Sequence, residues 1–270
     1  MPCRHKIIME QNWFDKLPVK IIGRNVRCFK EASSTNDLAW NEISLGAPEG
    51  TVIFAEKQSK GRGRFGREWY APENSGIWAS IILKPKLTLE KSSLLMIIGA
   101  IAVCELIRDN FKLNASIRWP NDVMINRKKI AGIIVETKYL RDSIESAVLG
   151  IGFNVNLKES EIPADLEAIM TSLAIETKHP VDMKHISQQF LVHLDKWHQK
   201  LLKANFVEII DTWQKMSGVL NKKVLVEVET QTLEGIVIGL DPYDGIMLKT
   251  PDETLKLSPE KVTSLRLKEM

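Results

Sequence analysis

The sequence predicts an α+β fold in two parts, because strand and helix patterns are interspersed up to about residue 217 and only strand and turn patterns follow. The later part contains five short strand patterns, at 223–229, 233–240, 246–249, 254–257 and 262–267. Short strands separated by turns are typical of a small barrel. We therefore place a boundary near Ser217, which gives an N-terminal extension (1–26), a main domain (27–217) and a C-terminal barrel (218–270).

The spacing of apolar residues gives the order of elements in the main domain. Ser33 to Asn36 have helix-capping side chains, and Gly46 ends the helix that they begin. Strands are predicted at 51–55, 77–83, 115–119, 123–126, 129–137 and 146–156. Further helices are predicted at 89–110, 165–175, 182–204 and 206–217, where apolar residues recur at helical spacing. The polar break from Asn126 to Lys128 is typical of a hairpin turn.

The composition indicates an ordinary globular protein. Its 270 residues are 44% hydrophobic, enough to bury a core without disulfides or metals. The formal net charge of +3 is small, so a bulk attraction to nucleic acid is not expected. The three cysteines are odd in number and form no close motif, which fits a reducing compartment. Because no apolar run is long enough for export or for a bilayer, the sequence predicts a cytoplasmic protein without membrane contact.

The loop Gly61–Trp69, with the sequence GRGRFGREW, carries the clearest chemical signal in the chain. Its three glycines let the backbone approach a ligand closely, and its three arginines can hold carboxylate or phosphate through paired hydrogen bonds. The loop therefore predicts an anion-binding site. It has neither the residue order of a P-loop nor that of a dinucleotide-binding turn. Taken alone, it leaves a solvated basic loop and a non-specific RNA-binding segment as alternatives.

Two segments further along the chain bear on this site. Residues 118–122 (RWPND) place a base, an aromatic ring and an acid together, and Pro120 favours an extended entry. Taken alone, these residues are more typical of a turn at a strand end with a buried Trp119. Lys129 begins an apolar strand that runs from Ile130 to Val135. It is either a strand-flanking lysine or a fixed cation beside reacting anions.

Together these segments resemble the biotin protein ligase family. Four stretches match its motifs in order: Ser33–Asn36, Gln58 with Gly61–Trp69, Trp119–Asp122 with Lys129–Gly132, and Gly150–Asn156. The resemblance covers about residues 27–267. It implies a mixed sheet flanked by helices, like the catalytic domain of class II synthetases, followed by an SH3-like β-barrel. It also implies a two-step reaction. Biotin and ATP give biotinyl-5′-AMP and pyrophosphate, and a lysine amine of a carrier protein then takes the biotinyl group and releases AMP.

The resemblance assigns roles position by position. It places biotin-binding residues at Ser34, Thr35, Asn36, Gln58, Arg62, Gly63, Arg64, Lys129 and Gly132. It places ATP-binding residues at Arg64, Arg67, Trp69, Asn121, Asp122 and Asn154, with Asp122 also as a ligand of Mg²⁺. The catalytic candidates are Lys129, Arg62 and Arg64, because two anions must meet and cations offset their repulsion. Arg118 stands where lysine is common in relatives, and no role is assigned to it.

The resemblance also implies partners. The expected protein substrate is the biotin carboxyl carrier domain of a biotin-dependent carboxylase, and the family includes both monomers and homodimers. Some relatives carry an N-terminal helix-turn-helix domain. Only about 25 residues precede the first matched strand, too few for three helices, so no DNA binding is expected. The alternative enzyme is a lipoate or octanoate ligase of the same fold, and the combination of this loop with WPND argues against it. The third alternative, an RNA-binding module, would need aromatic residues across a broad basic face, which the sequence lacks.

Overall fold

The computed structural model describes residues 10–229 and 231–268, which form two β-sheets and five α-helices. The larger sheet contains β1 (Asn25–Ala32), β2 (Thr51–Gln58), β3 (Gly76–Leu83), β4 (Ser116–Arg118), β5 (Asp122–Ile125), β6 (Lys128–Leu140) and β7 (Ser143–Asn154). The helices are α1 (Thr35–Ser44), α2 (Ser93–Phe111), α3 (Leu173–Thr177), α4 (Met183–Leu202) and α5 (Phe206–Lys215). The smaller sheet contains β8 (Lys223–Val228), β9 (Gln231–Asp241), β10 (Gly245–Lys249), β11 (Thr254–Leu257) and β12 (Val262–Leu267).

The larger sheet is mixed, as the α+β prediction requires. Its strand order is β1-β2-β3-β7-β6-β5-β4. The pair β1 and β2 is parallel and joined through α1, whereas the other neighbouring pairs are antiparallel. The smaller sheet is antiparallel throughout, with the order β11-β10-β9-β8-β12. The predicted fold class is thereby confirmed, with each of the five C-terminal strands found within two residues of its expected bounds.

The two faces of the larger sheet have different neighbours. Side chains alternate between faces along a strand. On β6 and β7, Ile133, Leu149 and Ile151 face Gly99 of α2, and α4 packs on the outside of α2. Most of α2 is buried, which explains its nearly uninterrupted run of apolar residues. The opposite face of the sheet carries α1 and, beside it, a stretch without a covering helix that is rich in glycine.

The segment before β1 contributes to the core. The predicted N-terminal extension covers 1–26, of which residues 1–9 lie outside the described part of the chain. Trp13 and Phe14 are buried, and the Phe14 ring stacks on Phe54 of β2 at 5.1 Å between centroids. The backbone N–H groups of residues 20–22 donate to the carboxylate of Asp195 on α4 at 2.8–2.9 Å. Among the described residues, Cys28 and Cys104 are free thiols.

One predicted helix is wrong. The sequence predicts a helix over 165–175, but the structure has turns followed by the short α3, which begins at Leu173. The reason is a competing backbone pairing with the first residue of the apolar strand. Lys129 N donates to Ile169 O at 2.7 Å, and Thr171 N donates to Lys129 O at 3.0 Å. These bonds hold the segment extended beside β6, which a helix would not allow.

Within the described residues, no helix combines the length and the apolar character that crossing a membrane requires.

Candidate active site

A cavity of about 270 Å³ lies on the glycine-rich face of the larger sheet. Its lining brings together residues that are far apart in the chain, from α1, the loop Gly61–Trp69, the segment 118–122 and β6. All but one of the residues predicted to bind ligands lie in this lining: Ser34, Thr35, Asn36, Gln58, Arg62, Gly63, Arg64, Arg67, Trp69, Asn121, Asp122, Lys129 and Gly132. Two polar walls and an aromatic floor make the site.

The first wall is a buried hydrogen-bond network at the start of α1. Ser34 is the N-cap, and its hydroxyl accepts from Asn36 N at 3.3 Å. Thr35 N donates to Gln58 Oε1 at 2.7 Å. The hydroxyl of Ser80, on β3, lies 2.7 Å from Thr35 Oγ1 and 2.5 Å from Asn36 Oδ1. The network fixes hydroxyl and amide groups in place, which suits a ligand with a neutral polar ring.

The floor is the indole of Trp69 lying across two glycines of the sheet. A Cβ atom at Gly132 would lie 2.8 Å from Trp69 Cζ3, and one at Gly152 would lie closer still to the same ring. The ring also meets Trp78 edge to face, with 6.4 Å between centroids. Lys129 Nζ lies over it, 5.0 Å from the centroid. Only glycine allows the indole to lie this close to β6 and β7, so these glycines determine where Trp69 sits.

The second wall holds an ion triad. Lys129 Nζ lies 2.6 Å from Asp122 Oδ1, and Arg118 Nη2 donates to Asp122 Oδ2 at 2.6 Å. Burial of the Asp122 carboxyl would raise its pKa, but the two cations outweigh burial and hold that pKa below its usual value. Asp122 therefore stays ionised and fixes Lys129 at the edge of the cavity. Arg118, to which the sequence assigned no role, is the second cation of this triad.

The loop Gly61–Trp69 folds into a small hairpin over the cavity. Trp69 N donates to Gly61 O at 2.9 Å, and Gly63 N donates to Arg67 O at 2.7 Å. The turn uses φ of 57° at Phe65 and 71° at Gly66, which only glycine adopts without cost. Its two inner arginines reach different walls, so the hairpin is attached on both sides of the cavity.

Arg62 and Arg64 both have protein partners. Arg62 Nη1 lies 2.5 Å from Asp37 Oδ1, and its Nη2 lies 3.0 Å from Glu136 Oε1. Arg64 Nη2 donates to Pro259 O at 2.5 Å, and its Nη1 donates to Asn121 Oδ1 at 3.4 Å. Burial lowers the pKa of Arg64, although the guanidinium stays charged. Arg64 is therefore the cation of the loop that faces the second wall.

The C-terminal sheet also contributes to the cavity, which the sequence did not predict. Residues 262–265 of β12 lie in the lining, and Pro259 is in the turn that precedes them. Ser80 and Glu136 are further residues that the sequence missed. Ser80 lies on β3 and Glu136 on β6, and only strand register brings them beside α1. No motif would have identified them.

Asn154 is the one predicted ligand contact that the structure does not bring to the cavity. It is fully buried at the end of β7, where Nδ2 donates to Thr171 O at 2.9 Å. Its Oδ1 has no hydrogen-bond partner within the described residues. Its position supports the segment that pairs with Lys129, because Thr171 N donates to Lys129 O.

The predicted Mg²⁺ site at Asp122 does not fit the side chains as they lie. At nucleotide sites Mg²⁺ is bound through one or two free carboxylates together with substrate phosphates and waters, in octahedral geometry. Among the described residues of the lining, the carboxylates are Asp122 and the exposed Glu68. Both oxygens of Asp122 are taken by Lys129 and Arg118. Positive charge at this wall therefore comes from side chains of the chain itself.

Comparison with known proteins places this site in a family. The Biotin/lipoate A/B protein ligase family model matches residues 28–154. The bifunctional ligase/repressor BirA of Bacillus subtilis is 31% identical over 240 residues, which are 89% of this chain and 74% of that protein. A biotin–[acetyl-CoA-carboxylase] ligase of Paracoccus denitrificans is 27% identical over 78% of this chain and 88% of that protein.

A solved structure agrees with the sequence relatives. The biotin protein ligase of Aquifex aeolicus in complex with biotin and ATP is 26% identical, with a TM-score of 0.77 over 91% of this chain and 100% of that one. The biotin protein ligase of Leishmania major, 18% identical with a TM-score of 0.58, shares the fold. Motifs, fold and relatives agree, and the chain belongs to the biotin protein ligase family.

Proposed function

We propose that this protein is an ATP-dependent biotin ligase. In the first step it joins biotin to AMP with release of pyrophosphate, and in the second it transfers the biotinyl group to a lysine of a carrier protein. The observation that carries the proposal is the cavity itself, in which a fixed neutral polar wall, an aromatic floor and a fixed lysine meet under the glycine–arginine hairpin. The Aquifex aeolicus protein of the same fold was solved with biotin and ATP.

The first step needs positive charge between two anions. The biotin carboxylate oxygen attacks the α-phosphorus of ATP, the bond from that phosphorus to the bridging oxygen breaks, and pyrophosphate leaves. Lys129 is positioned for this by its ion pair with Asp122, and Arg64 approaches from the hairpin. Preorganised cations of this kind stabilise the charge that develops in the transition state. The chain needs no covalent nucleophile, since holding the two reactants in line suffices.

The polar wall suits the uncharged end of biotin. A ureido ring presents two N–H donors and one carbonyl acceptor, and the hydroxyls of Ser34 and Thr35 with the amides of Asn36 and Gln58 supply complementary groups. The Trp69 ring offers an apolar face beside them. Biotin would then lie with its ring at α1 and its carboxylate toward Lys129.

The second step needs a lysine amine from another protein. The amine attacks the carbonyl carbon of the mixed anhydride, the bond to the phosphate oxygen breaks, AMP leaves and the amine loses a proton. Relatives named for acetyl-CoA carboxylase point to its biotin carrier domain as the acceptor. We propose the same class of acceptor here.

Pyrophosphate release tests the first step. The full chain is incubated with magnesium ATP and biotin, lipoate or octanoate, and pyrophosphate is measured in each case. We expect release with biotin and background values with the other two acids. Release with lipoate or octanoate but not with biotin would assign the chain to the lipoate branch of the matched family instead.

A further inference from the structure

Three different elements meet at the carboxylate of Glu136, on the cavity side of β6. From α1, Asn36 Nδ2 donates to Oε1 at 2.8 Å and Trp40 Nε1 donates to Oε2 at 2.6 Å. From the hairpin, Arg62 Nη2 donates to Oε1 at 3.0 Å. Asn36 and Trp40 are one helical turn apart, so they grip the two oxygens from the same face of α1. Lys138 lies two residues further along β6, and its Nζ is 4.9 Å from the centroid of the Trp40 ring.

Arg62 connects the hairpin to the side of the cavity formed by α1 and Glu136. Its guanidinium is held by two carboxylates, Asp37 on the first turn of α1 and Glu136 on β6. At its base the hairpin is held by its own backbone bonds and by the packing of Trp69 on the sheet, and Arg64 reaches toward the opposite wall. Arg62 and Arg64 therefore act at two sides of the cavity mouth.

We propose that Glu136 is a positioning residue that holds the hairpin Gly61–Trp69 closed over the cavity, with Arg62 as the tether. Arg62 then acts by keeping the loop in place and retaining the reactive adenylate, while Lys129 and Arg64 supply charge to the reacting atoms. This differs from the role implied by the resemblance, in which Arg62 is itself a catalytic cation.

Charge and geometry favour this assignment. A guanidinium that already lies between two carboxylates is neutralised by its neighbours and gains little from a third anion. Glu136 is not among the residues that line the cavity, so it acts through Arg62 and Asn36. Because Asn36 belongs to the polar wall, one carboxylate orders both the wall and the hairpin. The identity of the retained ligand rests on the function proposed above, whereas the tether itself does not.

The tether is tested first without any ligand. The full chain is treated with chymotrypsin, and cleavage after the exposed Phe65 is followed by the masses of the fragments. The variants compared with wild type are Glu136→Gln and Arg62→Ala. The control is Glu145→Gln, which replaces an exposed carboxylate on β7. The rate of cleavage follows how often the loop opens. Losing a charge-assisted, partly exposed ion pair such as Arg62–Glu136 should raise the rate of cleavage about tenfold. We expect this for Glu136→Gln and Arg62→Ala, and no change for Glu145→Gln. Unchanged cleavage in Glu136→Gln with an unchanged melting temperature would overturn the proposal.

The second test asks whether Glu136 acts through Arg62. The dissociation rate of biotinyl-5′-AMP is measured for both single variants and for the double variant. We expect each single variant to release the adenylate about tenfold faster and the double variant to add less than about twofold, because one interaction is being removed twice. Multiplied effects would mean that Glu136 does not act through Arg62. If wild-type chain forms and binds no biotinyl-5′-AMP, the proposed function fails, and the cleavage test still decides the tether.

Asp37→Asn tests the tether if Glu136→Gln does not fold. Asp37 is exposed on α1 and holds the other half of the same guanidinium. Asp37→Asn should speed cleavage after Phe65 in the same direction by a smaller factor, and Arg62→Lys should restore part of the protection by keeping the charge. Equal cleavage in Asp37→Asn, Arg62→Lys and wild type would contradict a tether at Arg62.

Discussion

At the scale of single residues, Lys129 is the group on which the proposed chemistry depends most. Its backbone pairs with the segment 169–171 on one side, and its ammonium is held by Asp122 on the other. Both attachments restrict where the charge can lie, and a fixed charge stabilises a transition state better than a mobile one. The motif identified this lysine from the sequence, but its anchoring by Arg118 and Asp122 follows from the pairing of β4 with β5 and of β5 with β6.

Replacing Lys129 tests this directly. Lys129→Ala should slow pyrophosphate release with biotin by about 10²–10³, since one preorganised cation at the reacting atoms is lost. Lys128→Ala is the matched control, because its ammonium donates to Glu167 O outside the cavity lining. Activity near the wild-type value in Lys129→Ala would show that another cation does this work.

The ion triad has a defined dependence on pH. Because the folded-state pKa of Asp122 is lowered, its stabilisation is fully present above the unfolded pKa of about 4 and is lost as pH falls through the lower folded value. Asp122→Asn should therefore destabilise the protein by about 1–3 kcal/mol at constant magnitude from pH 5 to 8. The difference in unfolding free energy from wild type, measured by urea titration, should shrink below about pH 4. A difference that varies across the neutral range would contradict the triad.

At the scale of elements, the glycines of β6 and β7 make the site. The strands themselves could be predicted, since apolar residues alternate or run together as buried strands require. Which face would carry a ligand could not, because that depends on α2 covering the side of Ile133, Leu149 and Ile151. The predicted helix at 165–175 failed for a similar reason: pairing with Lys129 overrode its local pattern.

A methyl group at Gly152 tests the floor. Gly152→Ala would place Cβ inside the contact distance of the Trp69 indole, which is itself confined by Trp78 and Lys129. Overpacking of this kind costs about 1–3 kcal/mol. We expect a melting temperature lower by a few degrees and biotin binding, measured by calorimetry, weakened at least tenfold. Wild-type affinity in this variant would show that Trp69 does not form the floor of the ligand site.

At the scale of the whole molecule, the two sheets share one hydrophobic core. Barrel residues such as Val224, Val237 and Ile246 belong to the same buried cluster as α2. Gly218 N donates to Ile117 O at 2.9 Å across the junction, and Gln214 Nε2 donates to Leu240 O at 2.8 Å. The five-stranded C-terminal sheet could be predicted from its strand and turn pattern. Its role in closing the cavity could not, because the contact from Arg64 to Pro259 joins residues 195 positions apart.

A shared core predicts cooperative unfolding. All seven tryptophans lie at or before Trp213, so tryptophan fluorescence reports the part of the chain that precedes the C-terminal sheet, whereas calorimetry reports heat from both parts. We expect the two midpoints to coincide and the calorimetric and van't Hoff enthalpies to agree. A separate calorimetric transition without a fluorescence change would show that the barrel unfolds on its own.

The most direct test of the central claim is the intact mass of a carrier protein. A biotin carboxyl carrier domain is incubated with the full chain, biotin and magnesium ATP, with Lys129→Ala in a parallel reaction. We predict a mass increase equal to one biotinyl group on one lysine with the wild-type chain, and almost none with Lys129→Ala. No mass change with the wild-type chain, or an equal change in both reactions, would contradict it.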